Sequence, residues 1–370
     1  MYIYSSFDGG NISLKEISRP HEVSLHIQKD SNSHFFQWFN FRINAQKGES
    51  YTIRLCNAGE SSYPKGWENY RARYSYDGEN WLQADTAYDG KELIIQHQLR
   101  HSTVQFAYFA PYSLTRHDAL IRWAQQRGAR HNCLGYTVQG RSMDLLTIGR
   151  GSKKLWCIAR QHPGETMAEW WMEGFIHKLL DPSDPISHRI RERATIYLVP
   201  NMNPDGSFLG NLRTNAAGKN LNRVWADPKE ETEPEVYWVR KKMHETGLHF
   251  CLDIHGDEGL PYNFLAPPFG ISSLTSEQED IFYLYERFLL RHSPDFQNQY
   301  GYPRTPKGKA NMGVCSNYIS DAFGAMAITL EQPFKDNAIL PMPDRGWSPN
   351  RAMQFGKANL QACFDLIQHL

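Results

Sequence analysis

The pattern of hydrophobic and polar positions divides the chain near residue 115. Before that point, short segments alternate apolar with polar residues, and turn sequences such as Asp77-Gly78 and Asp89-Gly90 separate them. Such alternation is typical of strands with one buried face, and regular turns between short strands are typical of antiparallel sandwiches. The predicted strands are Phe35–Ile43, Tyr51–Leu55, Arg71–Tyr76, Glu92–Gln96 and Thr103–Phe109. We therefore expect residues 1–115 to form an all-β antiparallel sandwich domain.

Beyond residue 115 the hydrophobic period changes to that of helices, and continuous apolar runs alternate with them. Helical periodicity covers His117–Arg127, Glu169–Leu180, Glu233–Glu245, Ser276–Leu290 and Asn350–His369. The apolar runs are Leu155–Ala159, Thr195–Val199, Phe250–Ile254 and Ala325–Leu330. Buried strands that alternate with helices indicate a mixed, mostly parallel sheet flanked by helices. We expect residues 116–370 to form this α/β domain, with an active site at the carboxyl ends of the strands.

Composition and charge exclude several classes of partner. The chain of 370 residues has 40 basic and 40 acidic residues, so it has no overall attraction to nucleic acid or anionic lipid. No apolar stretch approaches the roughly 20 residues that cross a bilayer, and the first residues lack the features of a secretory signal. Six widely separated cysteines favour reduced thiols. The expectation is a cytoplasmic protein without nucleic-acid or membrane partners.

Two of the predicted strands end in residues that bind metals. His162 and Glu165 follow the first apolar run in a tight His-Pro-Gly-Glu loop, and His255 follows the third run. Two histidines and one glutamate with an open fourth position are the ligand set of a catalytic zinc ion. Asp253 points to the same side of its strand as His255, which makes it a candidate to orient that ligand. The alternative is an accidental pattern, since the chain contains 15 histidines.

A third strand end opens a longer ordered set of motifs. The set comprises His162–Glu165, Asn203–Gly206, Arg213, Asn220–Arg223, Asp253–Gly256 and Thr329–Glu331. In order and approximate spacing these segments resemble those of the zinc metallocarboxypeptidases, and within them the cytosolic carboxypeptidase branch. The resemblance covers about residues 115–370. It extends more faintly to Phe106–Tyr112, because the N-terminal β domain of that branch ends in a similar segment.

The resemblance implies a hydrolase that cleaves peptide bonds with one zinc ion per chain, held by His162, Glu165 and His255. Glu331 would be the general base that takes a proton from water and passes it to the leaving nitrogen. Arg213 would supply a fixed positive charge where the oxyanion develops. The alternative for Arg213 and for Arg223 is a surface arginine in a loop, and the alternative for Glu331 is an ion pair with Lys335.

The same resemblance assigns the terminal carboxylate of the substrate to Asn222 and Arg223. A guanidinium group binds a carboxylate through two hydrogen bonds, so this pair would select a free C-terminus. The predicted activity is removal of C-terminal residues from peptides or proteins. Two alternatives remain: a zinc deacylase or amidase acting on small N-acyl amino acids, and a catalytically silent peptide-binding module. The presence of every ligand, both arginines and the base argues against the silent module.

The motifs do not identify with the same precision the residues that contact the side chain of the substrate's C-terminal residue. Digestive relatives have a tyrosine before the catalytic glutamate that closes over the substrate; here the nearest tyrosines are Tyr302 and Tyr318, and Tyr318 is the candidate. Tubulin-processing relatives have an arginine in the corresponding stretch, which is thought to receive an acidic side chain. This chain has Lys307–Met312 there, without that arginine. Lys307 or Lys309 could favour a terminal Glu or Asp, and Lys309 is the candidate site residue; the alternative is that both are solvated loop lysines.

Overall fold

Ten strands before residue 108 form two sheets in the computed structural model, which describes residues 1–19 and 21–370. The strands are β1 (Tyr2–Tyr4), β2 (Ser13–Arg19), β3 (Glu22–His26), β4 (Asn40–Asn44), β5 (Ser50–Leu55), β6 (Arg73–Ser75), β7 (Leu82–Gln83), β8 (Asp85–Tyr88), β9 (Leu93–Gln98) and β10 (Thr103–Ala107). One sheet has the order β1-β4-β10-β6-β7, and the other has the order β2-β3-β5-β9-β8.

Alternation along the strands places one face of each sheet in a core. Val23 and Leu25 of β3 and Ile53 of β5 are completely buried, whereas the residues between them are partly exposed. All strand pairs of this domain are antiparallel except β3 and β5, which are parallel. The chain between β3 and β5 passes through the other sheet, and such a crossover permits parallel pairing. The predicted sandwich is confirmed, with this one parallel pair as an exception.

The predicted strand Phe35–Ile43 is wrong in its first half. Only Asn40–Asn44 pairs within a sheet, whereas the carbonyl of Phe36 accepts a hydrogen bond from the amide of Ser62 in a loop. Trp38 is buried although it lies outside the strands. The aromatic residues of this stretch therefore reflect burial of an irregular segment and do not indicate a strand.

Helices alternate with strands in the remainder of the chain. The helices are α1 (Leu114–Gln126), α2 (Met167–Leu179), α3 (Pro185–Arg193), α4 (Pro204–Leu209), α5 (Pro234–Thr246), α6 (Ser276–His292), α7 (Cys315–Phe323) and α8 (Pro349–Leu366). The strands are β11 (Arg130–Tyr136), β12 (Ser142–Gly149), β13 (Lys153–Ala159), β14 (Ala194–Val199), β15 (Phe250–Ile254), β16 (Phe264–Ala266) and β17 (Met326–Glu331). None of the helices in the described part of the chain is long and apolar enough to span a bilayer.

These strands form one sheet with a parallel centre and antiparallel edges. The order is β11-β12-β14-β13-β15-β17-β16, and β14, β13, β15 and β17 run parallel to one another. In β13, Leu155 and Cys157 face a core that includes α2 and α8, whereas Trp156 and Ile158 face a core that includes α5 and α7. Burial of both faces explains the continuous apolar runs in the sequence. The predicted α/β domain is confirmed.

The two domains share a hydrophobic core that reaches the edge where β13, β15 and β17 end. The ring of Tyr108 stacks on that of Phe334 with 4.3 Å between centroids. The buried guanidinium of Arg73 donates hydrogen bonds to the carbonyls of Phe334 and Trp347. Strand β10 ends at Ala107 and α1 begins at Leu114. The exact domain boundary at residue 115 stays a prediction.

Candidate active site

The loop after β13 presents His162 and Glu165 in a tightly held turn. Arg160 has φ 60°, a left-handed value that is uncommon for a residue with a side chain. Its buried guanidinium donates to the carbonyl of Pro163 at 2.9 Å and to the carboxylate of Glu169 at 2.7 Å. Strained backbone of this kind persists where surrounding contacts fix it, and it is concentrated at functional sites.

His162, Glu165 and His255 converge where β13 and β15 end. Nδ1 of His162 lies 2.7 Å from Oε1 of Glu165, and Nδ1 of His255 lies 2.8 Å from Oε2 of the same carboxylate. One ligand atom from each residue lies within 4.8 Å of the others, and all three residues are buried. The arrangement brings two nitrogen donors and one carboxylate to a single point.

The second nitrogen of each imidazole contacts an oxygen acceptor. Nε2 of His162 lies 3.0 Å from Oδ1 of Asn220, and Nε2 of His255 lies 3.0 Å from Oδ2 of Asp253. With the proton on Nε2, each ring presents the lone pair of Nδ1 toward Glu165, as metal-binding histidines do. Asp253 therefore contacts His255 as the alternation of strand β15 predicts.

Burial and neighbouring charges set the protonation of this cluster. Burial, and then the charge of Arg213, lower the pKa of His162 to about 4, so its ring is neutral at pH 7. Burial opposes ionisation of Glu165, but the charges of His162 and His255 bring its pKa below the usual value. Burial also opposes protonation of His255, but the carboxylates of Asp253 and Glu165 raise its pKa. A divalent metal binds neutral imidazole and ionised carboxylate, so metal binding would displace the extra proton that these carboxylates favour on His255.

Glu331, the last residue of β17, adds a further buried carboxylate. Burial, together with the charges of Glu165 and Asp257, raises the pKa of Glu331 well above its usual value. Its Oε2 has no hydrogen-bond partner among residues 1–19 and 21–370. Lys335, the alternative partner for Glu331, donates instead to the carbonyl of Gly259 at 3.2 Å. A buried carboxylate cluster with an unpaired oxygen is stabilised when a cation joins it, so these residues fit a zinc ion.

A cavity of about 1110 Å³ opens over these side chains. The predicted site residues that line it are His162, Glu165, Arg213, Asn222, Arg223, His255, Lys309 and Glu331. The side-chain oxygen of Asn222 accepts a hydrogen bond from the amide of Cys315 at 2.8 Å. Nη1 of Arg223 donates to the carbonyl of Asn222 at 2.6 Å. One cavity therefore brings together all predicted site residues except Tyr318.

Tyr318 does not line this cavity, so the structure does not bring it together with the other predicted site residues. Its hydroxyl lies 2.9 Å from Nε2 of His244, and its ring lies 5.1 Å from the guanidinium of Arg240. Helix α7 begins at Cys315, and residues two apart point to opposite sides of a helix. Ser316 faces the cavity, so Tyr318 is turned toward α5.

Among the further side chains that line the cavity, Tyr302, Asp257 and Glu258 were not assigned to the site by sequence reasoning. Oη of Tyr302 donates to Oδ2 of Asp257 at 2.5 Å and lies 3.4 Å from Oε1 of Glu331. The acidic pair that directly follows His255-Gly256 was an available signal for Asp257 and Glu258. Tyr302 lies in an irregular segment, where separation along the chain does not predict proximity to Glu331.

The N-terminal domain supplies part of the cavity wall, which the sequence did not predict. Tyr63, Lys65 and Gly66 line the cavity. A Cβ atom at Gly66 would lie 3.1 Å from Cβ of Glu258, so a glycine permits this close approach of the two domains. The guanidinium carbon of Arg213 lies 5.5 Å from the centre of the Tyr63 ring.

Comparisons with known proteins agree with this architecture. The family model described as zinc carboxypeptidase matches residues 123–351, and the one described as cytosolic carboxypeptidase N-terminal domain matches residues 3–109. A protein of Zymomonas mobilis is 44% identical over 371 residues, which cover 100% of this chain and 97% of that protein. Cytosolic carboxypeptidase 6 of Mus musculus is 29% identical over 300 residues, which cover 70% of this chain and 54% of the mouse protein. The chain thus matches about half the length of the mouse relative.

Solved structures extend the similarity over the whole chain. A metallo-carboxypeptidase from Burkholderia cenocepacia has 42% sequence identity and a TM-score of 0.97, with 99% of each chain covered. A metallo-carboxypeptidase from Pseudomonas aeruginosa, in complex with (2-guanidinoethylmercapto)succinic acid, has 41% identity and a TM-score of 0.98, with 100% of each chain covered. The chain therefore belongs to the zinc carboxypeptidase family, and it is a metal-dependent peptidase.

Proposed function

We propose that the protein releases single residues from the C-terminus of peptides or proteins, with one zinc ion held by His162, Glu165 and His255. The family supports metal-dependent hydrolysis at C-termini. The observation that carries the finer proposal is the convergence of these three side chains in a cavity that also contains Glu331 and two arginines. When bound, the zinc ion lowers the pKa of a coordinated water to about 7 and polarises the scissile carbonyl. A cytoplasmic location stays a prediction.

Glu331 is the proposed general base. The unpaired Oε2 supports this role, because it leaves an acceptor for the proton of the attacking water in the cavity that the proposed ligands line. The same carboxyl group then delivers the proton to the leaving nitrogen. Arg213, held at the cavity wall, is proposed to stabilise the negative charge that develops on the carbonyl oxygen. Tyr302 replaces Tyr318 as the candidate to close over the substrate, because its hydroxyl lies beside Glu331.

The size of the cavity favours peptides over small N-acyl amino acids. At about 1110 Å³ it is larger than the cavities that enclose most small ligands, which measure roughly 300–1,000 Å³. Hydrolysis rates for a panel of acyl amino acids and short peptides test this choice. Faster hydrolysis of the acyl amino acids would contradict the peptidase proposal and favour the deacylase.

We expect Arg223→Ala to raise KM about tenfold to 100-fold, with a smaller change in kcat. Asn222 and Arg223 are proposed to bind the terminal carboxylate, and a charge-assisted hydrogen bond to an ionised group contributes about 1.5–3 kcal/mol. Burial, and then the neighbouring charge of Arg213, lower the pKa of Arg223. A substrate carboxylate would offset both effects by giving the Arg223 guanidinium a negatively charged partner. Steady-state kinetics on a peptide that ends in leucine measures both constants.

A matched control is Arg304→Ala, because Arg304 lines the same cavity and already pairs with Glu279. We expect its KM for the leucine peptide to stay near that of the wild type. A peptide amidated at its C-terminus should be a poor substrate for wild-type protein. Efficient cleavage of the amidated peptide would contradict the proposed selection of a free carboxylate.

We expect Lys309→Glu to lower kcat/KM for peptides ending in Glu or Asp by about fivefold to tenfold relative to peptides ending in Leu. The side chain is exposed and lines the cavity, and reversal of an exposed charge changes the free energy of interaction by about 1 kcal/mol. Lys307→Glu is the matched control, because Lys307 is an exposed lysine on the same loop. An equal effect of both variants, or a wild-type preference for basic terminal residues, would contradict an acidic preference set by Lys309.

A further inference from the structure

We infer that Asp30 of the N-terminal domain is a positioning residue for Arg213, so that the sandwich domain forms a working part of the active site. The inference rests on the proposed role of Arg213 in stabilising the oxyanion. It assigns to Asp30 a task that acts through the arginine and involves no contact with the substrate.

Asp30 holds the backbone on both sides of Arg213. Its carboxylate accepts hydrogen bonds from the amides of Leu212 at 2.6 Å, Arg213 at 2.8 Å and Thr214 at 2.9 Å. It also accepts a bond from the hydroxyl of Thr214 at 3.1 Å. Only 4% of Asp30 is exposed, so water does not substitute for these bonds. Three consecutive amides therefore converge on one carboxylate from the other domain.

A carboxylate is the side chain that this arrangement requires. An ionised aspartate has two acceptor oxygens and no donor, which matches three amides and one hydroxyl. Consecutive amides that point to one place form an anion-binding concavity. Asparagine at position 30 would keep one acceptor, but its amino group would face donors that need acceptors. The loop would then have to shift.

The same N-terminal turn also holds the far end of Arg213. Its guanidinium carbon lies 5.6 Å from the centre of the Phe35 ring and 5.5 Å from the centre of the Tyr63 ring. The amide of Asp30 donates to the carbonyl of Phe35 at 2.8 Å, so the carboxylate and one of the two rings belong to one turn. The N-terminal domain therefore fixes both the backbone and the charged group of Arg213.

The position of this loop matters for catalysis. A charge that stabilises a transition state must be aimed at the developing oxyanion, and a displacement of about 1 Å can cost on the order of 100-fold in rate. The carbonyl of Leu212 also accepts a hydrogen bond from the amide of Gly164, within the loop of His162 and Glu165. A test must therefore separate an effect on Arg213 from an effect on metal binding.

The test is a double-mutant cycle of Asp30→Asn and Arg213→Ala, with zinc content measured for each variant. We expect Arg213→Ala to lower kcat by about 10²–10³-fold, the usual effect of removing one oxyanion donor. We expect Asp30→Asn to lower kcat by about 10–100-fold while KM and zinc content change little. Because Asp30 acts through Arg213, the double variant should be no slower than Arg213→Ala alone.

Asp8→Asn is the matched control across the same domain interface. Oδ2 of Asp8 accepts a hydrogen bond from the amide of Leu114 at the start of α1, at 2.6 Å. We expect wild-type kcat in this variant, which would separate the role of Asp30 from a general weakening of the interface. A loss in Asp8→Asn equal to that in Asp30→Asn would overturn the inference.

Three further outcomes distinguish the inference from the proposed function. Wild-type kcat in Arg213→Ala would refute the role of Arg213 itself and the inference with it. A lowered kcat in Arg213→Ala together with wild-type kcat in Asp30→Asn would overturn the inference alone. Losses of kcat that multiply in the double variant would do the same.

If Asp30→Asn does not fold, Phe35→Leu is the substitute variant, because it keeps the four hydrogen bonds of the Asp30 carboxylate and removes one ring beside Arg213. We expect Phe35→Leu to lower kcat by about twofold to fivefold in the wild-type background and to have no effect on kcat in the Arg213→Ala background. A loss of kcat in both backgrounds would overturn the inference.

Discussion

Replacement of Glu331 by glutamine is expected to lower kcat by about 10²–10⁴-fold while the bound zinc remains. Glutamine has nearly the same shape as glutamate, but its amide group cannot take a proton from the attacking water at neutral pH. Because Oε2 has no partner in the described structure, the substitution breaks no hydrogen bond at that atom. Turnover of a C-terminally free peptide, zinc content and melting temperature together measure the effect.

The control for this variant is Glu286→Gln. Glu286 lines the same cavity, and its carboxylate accepts a hydrogen bond from the side chain of Asn298 at 3.1 Å. We expect its kcat to remain close to that of the wild type. Normal turnover in Glu331→Gln, with zinc still bound, would refute Glu331 as the base.

Loss of a proposed ligand is expected to remove both the metal and the activity. Wild-type protein should purify with one zinc ion per chain, whereas His255→Ala leaves two of the three ligands. Loss of a residue that merely orients a ligand weakens metal affinity by about 10–100-fold, so loss of the ligand itself should exceed that range. Metal analysis after dialysis and peptide hydrolysis in zinc-free buffer measure the two effects.

His244→Ala is the matched control for this prediction. His244 contacts the hydroxyl of Tyr318 outside the cavity, so zinc content and turnover should be those of the wild type. A chelator should inactivate the wild-type enzyme, and added zinc should restore it. Activity that persists after complete removal of the metal would contradict the proposed mechanism.

The sequence predicted the centre of the site because local patterns determine it. His162 and Glu165 are three residues apart in one loop, and His255 directly follows a buried strand. Strands β13 and β15 are parallel neighbours, so the segments that follow them meet at one edge of the sheet. Knowledge of strand ends therefore places the three proposed metal ligands at one edge of the sheet, whereas their assignment as zinc ligands came from the family resemblance. The elements that build this edge, β13, β15 and β17, were all predicted.

The cavity walls could not be predicted in the same way. Asp30 and Thr214 are 184 positions apart in the sequence and belong to different domains, yet they are hydrogen-bonded. Hydrophobic periodicity does not predict a contact between such distant residues. Tyr302 and Tyr318 were considered only for their positions along the chain, which do not determine proximity to Glu331 across an irregular segment followed by a short helix. That helix, α7, has only 9 residues and no side-chain cap. The sequence therefore did not predict where the helix begins or which side of it Tyr318 faces.

The stacking of Tyr108 on Phe334 has a consequence for protein engineering and for divergence among relatives. Phe334 lies three positions after Glu331, so the proposed general base lies close along the chain to a residue that stacks on a ring of the other domain. A chimera that exchanges the N-terminal domain, including Tyr108, would alter the surroundings of Glu331 even if every proposed catalytic side chain were retained. Mutations that tune the enzyme can therefore arise in a domain that contributes no proposed ligand.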